Sequence, residues 1–235
     1  MNIAIMGADT ILRQALQPAL QQAGHDVHIA SIDVLDEDGV RHACQGIDRI
    51  VLLPGEPRRD TGAAEDGRLL DTALKGTWNV LLAARDAGVR QVVQISDVCI
   101  YSGYEDNHIL SEDMVTLPDT TAEQQALHLA EGVAHEFGRD TPGLVLTIRL
   151  GRLVRAAELA ADAPFDRDWL DVDDAAAAIV RGLELDAYDH PAHWGLYNLV
   201  ADTPQRRFSQ RITGGKFAFS AAEDFSAWWP KGVPQ

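Results

Sequence analysis

The residues best equipped for chemistry sit just after short apolar runs. Residues 3–16 (IAIMGADTILRQAL) pass from a β-branched run through Gly7 into a helical pattern. A strand-turn-helix of this kind presents the first amides of a helix, which bind phosphate. Asp9 is placed to cap those amides instead. Residues 97–101 (DVCIY) bring a carboxylate, a thiol and a phenol together after another such run. A nucleophilic Cys99 needs a base in reach. The sequence supplies none, so Cys99 reads as a buried thiol. Cys44 and Cys99 lack metal-ligand spacing, and the eight histidines are scattered. His25 and His28 fall on strand-like sequence, and His190 and His193 flank Pro191. None stands at zinc spacing with cysteine, so no metal site is expected.

The elements that must hold these residues alternate. Strand-like runs fall at 2–6, 26–30, 49–53, 90–96, 144–150 and 195–200. Helical patterns fall at 11–23, 37–44, 67–87, 121–137 and 173–185. Gly24, Gly88 and Gly138 stand where C-cap glycines would, and Asp36 where an N-cap would. This order predicts βαβ crossovers: an α/β fold with a doubly wound parallel sheet of about six strands and helices on both faces. The strands are continuously apolar, as burial on both faces requires. Ligands in such sheets lie beyond the carboxyl ends of the strands. That directs attention to residues 7–13, 31–33, 54–56, 97–101 and 151–154.

Composition excludes several classes. The chain has 235 residues, 46% of them hydrophobic, with 20 basic and 36 acidic side chains and a net charge of −16. That charge repels phosphate backbones and anionic lipid, so nucleic acid and membrane surfaces are not expected partners. Arg206, Arg207 and Arg211 are too few to reverse it. No apolar run approaches the ~20 residues that span a bilayer. No basic stretch precedes an apolar core at the start, and two unpaired cysteines suit a reducing compartment, so a cytoplasmic location is expected.

Read in order, these segments resemble the extended short-chain dehydrogenases, the NAD-dependent epimerase/dehydratase family. The most specific piece is KGTWNVLLAARDAGVRQVVQISDVCIYS, similar to the family's long helix, its Ala-Gly-Val turn and the strand before a Val-Tyr-Gly. LAEGVAHEFG, LTIRLGRLV, DWLDVDDAAAAIV and GLYNLV resemble the later landmarks. The resemblance implies a Rossmann-like domain over residues 1–200, with 201–235 as a short extension packed on it. It implies NAD or NADP as cofactor, near Gly7, Asp9, Thr10, Ile11, Leu12, Arg13, Ser31, Asp33, Leu53 and Pro54.

The departures are as informative. The family's three glycines fall on Gly7, Thr10 and Arg13. In the family, the first glycine allows a tight turn, the second lets backbone approach pyrophosphate, and the third lets the helix pack on the strand. Arg13 either swings out to a phosphate or presses a long side chain against the sheet. No Tyr-x-x-x-Lys occurs, since the residues four after the tyrosines are Glu105, His108, Ala192 and Ala201. Anchored on Glu131 and Arg149, the family's tyrosine falls on Glu123, its lysine on Leu127 and its Ser/Thr on Asp97. Asp97 and Glu123 are the candidate acid/base pair, since two close carboxylates push one pKa upward. The alternative has Asp97 capping a turn and Glu123 in a solvated helix start. Residues 29–36 leave no room for the usual next helix and strand. About twenty residues stand where a nucleotide-sugar lobe normally follows Arg149. The ribose-reading position falls near Ser31, with Asp33 two residues on and no arginine beside it for NADP.

These losses favour a degenerate member without classical catalysis, a nucleotide- or metabolite-binding protein or partner subunit. One alternative is an NAD(P)-dependent oxidoreductase or epimerase working through other residues, and another is a structural dimerisation module. Helices 67–87 and 121–137 each carry two apolar stripes, and the resemblance implies a homodimer through them, with room for a further protein partner. Trp228 and Trp229 are expected to fold the tail back onto the domain.

Overall fold

The computed structural model describes residues 1–54, 63–141, 144–185, 194–209 and 211–230. Five strands alternate with helices: β1 (Asn2–Met6), α1 (Ile11–Gln22), β2 (Asp26–Ala30), α2 (Glu37–Ala43), β3 (Arg49–Leu52), α3 (Ala63–Asp71), α4 (Thr77–Ala87), β4 (Gln91–Asp97), α5 (Ala122–Asp140) and β5 (Leu144–Leu150). Then come β6 (Arg152–Val154), β7 (Trp169–Asp171), α6 (Val172–Glu184) and β8 (Trp194–Leu199). The main sheet has six strands in the order β2-β1-β3-β4-β5-β8, all parallel. The short pair β6-β7 stands apart from it.

Alternation along each strand assigns its side chains to two layers. Ile3, Ile5, Val51, Val93 and Ile148 face α1 and α6 and pack with Leu16 and Ile179. Ala4, Met6, Ile50, Leu52 and Val92 face the other way and pack with Val40, Val80, Leu81 and Ala134 of α2, α4 and α5. The doubly wound architecture therefore holds, with the six strands expected. β2 ends one side of the sheet, because the chain passes from Ala30 to α2 through a short loop.

Two helices differ from expectation. The stretch read as one helix over 67–87 is a continuous rod, but a π turn at Thr72–Gly76 divides α3 from α4. A π turn carries one extra residue and shifts the phase of the residues after it. This explains the two stripes in part: Leu81 and Ala84 of one and Val80 and Ala83 of the other are all buried below the shift. Gly76 lies within it, and a Cβ there would meet Val34 Cγ2 at 2.4 Å. Gly138 does not end α5. The helix continues to Asp140 with Gly138 buried, and the Thr141 N–H closes on the Phe137 carbonyl at 3.0 Å. By contrast, Gly88 does end α4, in the left-handed conformation.

Beyond β8, Phe208, Phe217 and Phe225 are buried. The Asp174 carboxylate accepts the Ala222 and Glu223 N–H groups, both at 2.9 Å. Trp228 packs against Trp169 and donates its indole N–H to the Ala160 carbonyl at 2.8 Å. Among the described residues no helix is long and apolar enough to cross a membrane.

Candidate functional site

A cavity of about 710 Å³ opens at the carboxyl ends of β1 to β4, walled by α3, the π turn and α5. This is where a doubly wound sheet holds its ligand. The turn after β1 forms its floor. Gly7 has φ of +116°, and a Cβ there would stand 2.5 Å from the Leu53 carbonyl oxygen. Only glycine fits this turn, which brings the chain against the end of β3.

The first turn of α1 sends its side chains in different directions. Thr10 is the N-cap, and its hydroxyl accepts the Arg13 N–H at 3.4 Å, so Asp9 is not the cap. Ile11 is exposed, and Leu12 is buried in the core beside Ala15 and Leu16. Neither lines the cavity, nor does Thr10. Arg13 does not press on the sheet, because Leu12 and Leu16 occupy the sheet-facing stripe. It lines the cavity and pairs with Asp9, Nη2 to Oδ2 at 2.6 Å and Nε donating to Oδ1 at 3.1 Å. Ser31, Asp33, Leu53 and Pro54 line the same space. Gly55 and Glu56 lie outside the described residues, as do His190 and His193.

The far end is built by β4. Ser96 is 3% exposed, lines the cavity, and its hydroxyl is buried without a hydrogen-bond partner. Asp97 comes next and also faces in. Its Oδ1 accepts the Cys99 N–H at 2.7 Å, capping the 3-10 turn Val98–Tyr101. The turn-capping and cavity-lining readings of Asp97 thus describe one side chain. Burial raises its carboxyl above the usual carboxylate range, against the pull of the Cys99 amide. Glu123, exposed in the first turn of α5, lines the same cavity. Leu127, at the position matched to the family's lysine, places methyl groups in the wall. Burial and then the Asp97 charge push the Cys99 thiol far up, so it is a poor nucleophile. Cys44, buried in the core, is pushed up to about 11 by desolvation.

Tyr101 turns away from the cavity. Its hydroxyl donates to the Ser111 carbonyl at 3.0 Å and meets the Arg149 guanidinium. Arg149 and Glu131 form a bidentate pair at 2.9 and 2.6 Å with both side chains buried. This pair fixes α5 against β5. Among the described residues no three metal-ligating side chains cluster. The sequence reading missed Ser96 and Arg68, both in the cavity wall. Ser96 stands beside a residue it had singled out, whereas Arg68 reaches Asp33 from 35 positions away.

The arrangement fits a dinucleotide in three respects: the Gly7 turn no larger residue could make, a cavity spanning four strand ends, and the unpartnered buried hydroxyl of Ser96 in its wall. The model of the NAD dependent epimerase/dehydratase family matches residues 5–130. The L-arabinose 1-dehydrogenase (NAD(P)(+)) of Haloferax volcanii is 29% identical over 175 residues. That match covers 67% of this chain, and the chain spans only 63% of that relative's length. A short-chain dehydrogenase/reductase superfamily protein from Agrobacterium tumefaciens with bound NAD superposes with a TM-score of 0.78 at 18% identity, covering 95% of this chain and 93% of that one. Uronate dehydrogenase from the same organism gives a TM-score of 0.78 at 16% identity, covering 94% and 84%. UDP-N-acetylglucosamine 4-epimerase from Bacillus cereus gives 0.74 at 11%, covering 97% of both chains. At these identities the structural likeness establishes the fold alone.

Proposed function

The chain belongs to the NAD-dependent epimerase/dehydratase family, and on that premise we propose that it is an NAD(P)-dependent oxidoreductase acting on a small sugar or sugar acid. The observation that carries this is one cavity that runs from the Gly7 turn to Ser96 and Asp97. Family membership and a sugar-dehydrogenase relative support this over a non-catalytic binding protein. Few residues separate Arg149 from β7 where a nucleotide-sugar lobe would stand, which supports a small substrate.

The dinucleotide would supply hydride acceptance or donation. The Gly7 turn and Arg13 would hold its pyrophosphate, Ser31 and Asp33 its adenosine ribose, and Leu53 and Pro54 its near face. Asp97 is the group we assign to hold the substrate's hydroxyl proton. Burial lifts its carboxyl toward the working range of a general acid/base. Glu123, on the opposite wall, adds a second negative charge to the same space. Ser96 supplies a buried hydroxyl able to orient a polar group.

Calorimetric titration with NAD, NADH, NADP and NADPH tests the cofactor, after a check that no nucleotide co-purifies. Micromolar binding is expected with at least one. Appearance of reduced nicotinamide with L-arabinose or D-glucuronate, lost in Asp97→Asn, is expected next. No heat with any dinucleotide would overturn the oxidoreductase reading.

For the outer face of α4 and α5 we propose a second copy of the chain. Leu74 and Trp78 are 41% and 50% exposed, and Leu129 of α5 is 38% exposed. Trp78 also stands edge-on to Phe137 of α5, so the two helices present one apolar surface. Light scattering should give a dimer mass that Trp78→Glu reduces to a monomer.

A further inference from the structure

The cavity does not stop at the strand ends. Gln94 lies below Asp97 on β4, and Ala130 lies below Glu123 on α5, yet both line it. β4 and β5 are parallel, so α5, which joins them, runs back against the strand. From Asp97 to Gln94 is three strand residues and from Glu123 to Ala130 is seven helical ones, and each stretch spans about 10 Å. Two elements thus give one depth. The cavity sends an arm down between β4 and α5, with Gly76 and Thr77 of the rod as its third wall.

The side chains change character at the base of this arm. On the sheet face turned to α5, Val92 and Val145 pair within the apolar layer. One step up, Gln94 and Thr147 pair, 3% and 0% exposed, and the Thr147 hydroxyl donates to Gln94 Oε1 at 3.2 Å. That leaves the Gln94 amide nitrogen, a pure donor, to the arm. Ser96 is the next residue on this face, and its buried hydroxyl has no partner. Opposite stand Ala126 and Ala130 of α5, which make room and carry no polar side-chain atom. A buried donor is costly to leave unmatched, so an arm of this kind suits a ligand that brings oxygen acceptors. The mouth is acidic. Asp97 and Glu123 stand there, and an entering anion meets like charge.

We propose that this arm is a substrate subsite that takes the uncharged hydroxyl end of a small sugar, with Gln94 as the residue that selects it. A sugar hydroxyl supplies an acceptor for the Gln94 amide and can both give to and accept from Ser96. The other end of the sugar then lies at the mouth, beside the Asp97 carboxyl that holds the reacting proton. The inference rests on the oxidoreductase reading above and narrows its substrate to a neutral sugar over a sugar acid.

The test is calorimetry of L-arabinose and D-glucuronate on the full chain, with NADH or NADPH at saturation, for the wild type, Gln94→Met and Ala130→Leu. The wild type is expected to bind L-arabinose, and D-glucuronate about tenfold more weakly or worse. Gln94→Met removes the donor and should weaken L-arabinose roughly tenfold. Ala130→Leu fills the base of the arm and should abolish the sugar heat. Retained dinucleotide binding shows that a variant is folded. Should Gln94→Met fail that check, Ala130→Leu decides in its place. L-arabinose affinity unchanged in the deciding variant would overturn the inference and leave the oxidoreductase reading standing. So would D-glucuronate bound as tightly as L-arabinose, or a wild type that binds dinucleotide and no L-arabinose. A wild type that binds no dinucleotide would overturn both.

Discussion

Three arginine–carboxylate pairs in this protein differ in burial, and burial gives them different work. Arg149–Glu131 lies behind the cavity wall, with 5% and 7% of the two side chains exposed. Arg13–Asp9 and Arg68–Asp33 lie in the wall itself, with exposures of 19% and 62%, and 60% and 46%. The chemistry of the contact is the same, and the distances are 2.6, 2.6 and 2.9 Å. Without water, a charge that loses its partner has nowhere to go, so the buried pair is a permanent brace. In the wall, water can replace either partner and an incoming phosphate can replace the carboxylate, so those pairs are exchangeable.

Removing one partner of each is the most direct attack on this contrast. Glu131→Ala strands the Arg149 guanidinium and should cost about 3–5 kcal/mol, read as a fall in denaturation midpoint. Replacing both residues with apolar ones should recover most of that loss. If Glu131→Ala costs no more than Asp9→Ala, burial is not what separates the pairs. Gly7→Ala tests the frame on which Arg13 rides. Its left-handed conformation and the close Leu53 carbonyl predict a loss of about 1–3 kcal/mol, together with loss of dinucleotide heat.

Arg13→Ala should leave the melting temperature nearly unchanged and weaken dinucleotide binding roughly tenfold, as expected of one charge-assisted contact. A large stability loss instead would make Arg13 a second brace. Asp97→Asn probes a buried carboxyl whose level is set by burial and by its bond to Cys99. That carboxyl is raised in the folded protein, so the protonated form is the one folding favours. The stabilising contribution is complete below the ordinary carboxylate range and is lost as pH rises through the raised value. The non-titrating asparagine should therefore melt above the wild type near neutral pH, by about 2–4 °C per kcal/mol gained. The gap should close below about pH 4. A gap that widens on acidification would mean that the Asp97 carboxylate is stabilised after all.

Much of the architecture was legible because period and punctuation report it directly. Continuous apolar runs marked the parallel strands, Gly88 marked a helix end, and the short link after residue 30 announced a sheet ending at β2. The strand ends pointed to much of the wall, including Asp33 and Asp97, and the family resemblance added Glu123. What could not be read was direction. Thr10, Ile11, Leu12 and Arg13 are consecutive, yet successive residues leave a helix about 100° apart. One caps, one faces solvent, one enters the core and one enters the cavity. Arg68 was hidden for a different reason. Its partner is set by how the rod lies across the sheet, and no spacing along the chain encodes that. Helix stripes likewise assume an even pitch, which fails at Thr72–Gly76.

That uneven pitch makes the rod a gear. The half below it is meshed with the core through Val80, Leu81, Ala83 and Ala84, and the half above it presents Arg68 to the cavity. Removing one residue from 72–76 would close the wide turn into an even α-helix with little rotation of one half against the other, because five residues of a π turn sweep about the same angle as four of an α-helix. Arg68 would keep its place in the cavity wall while the core stayed engaged. A single codon lost at this place would thus leave both faces of the rod where they are, whereas one lost from either regular half would turn every residue beyond it by about 100°.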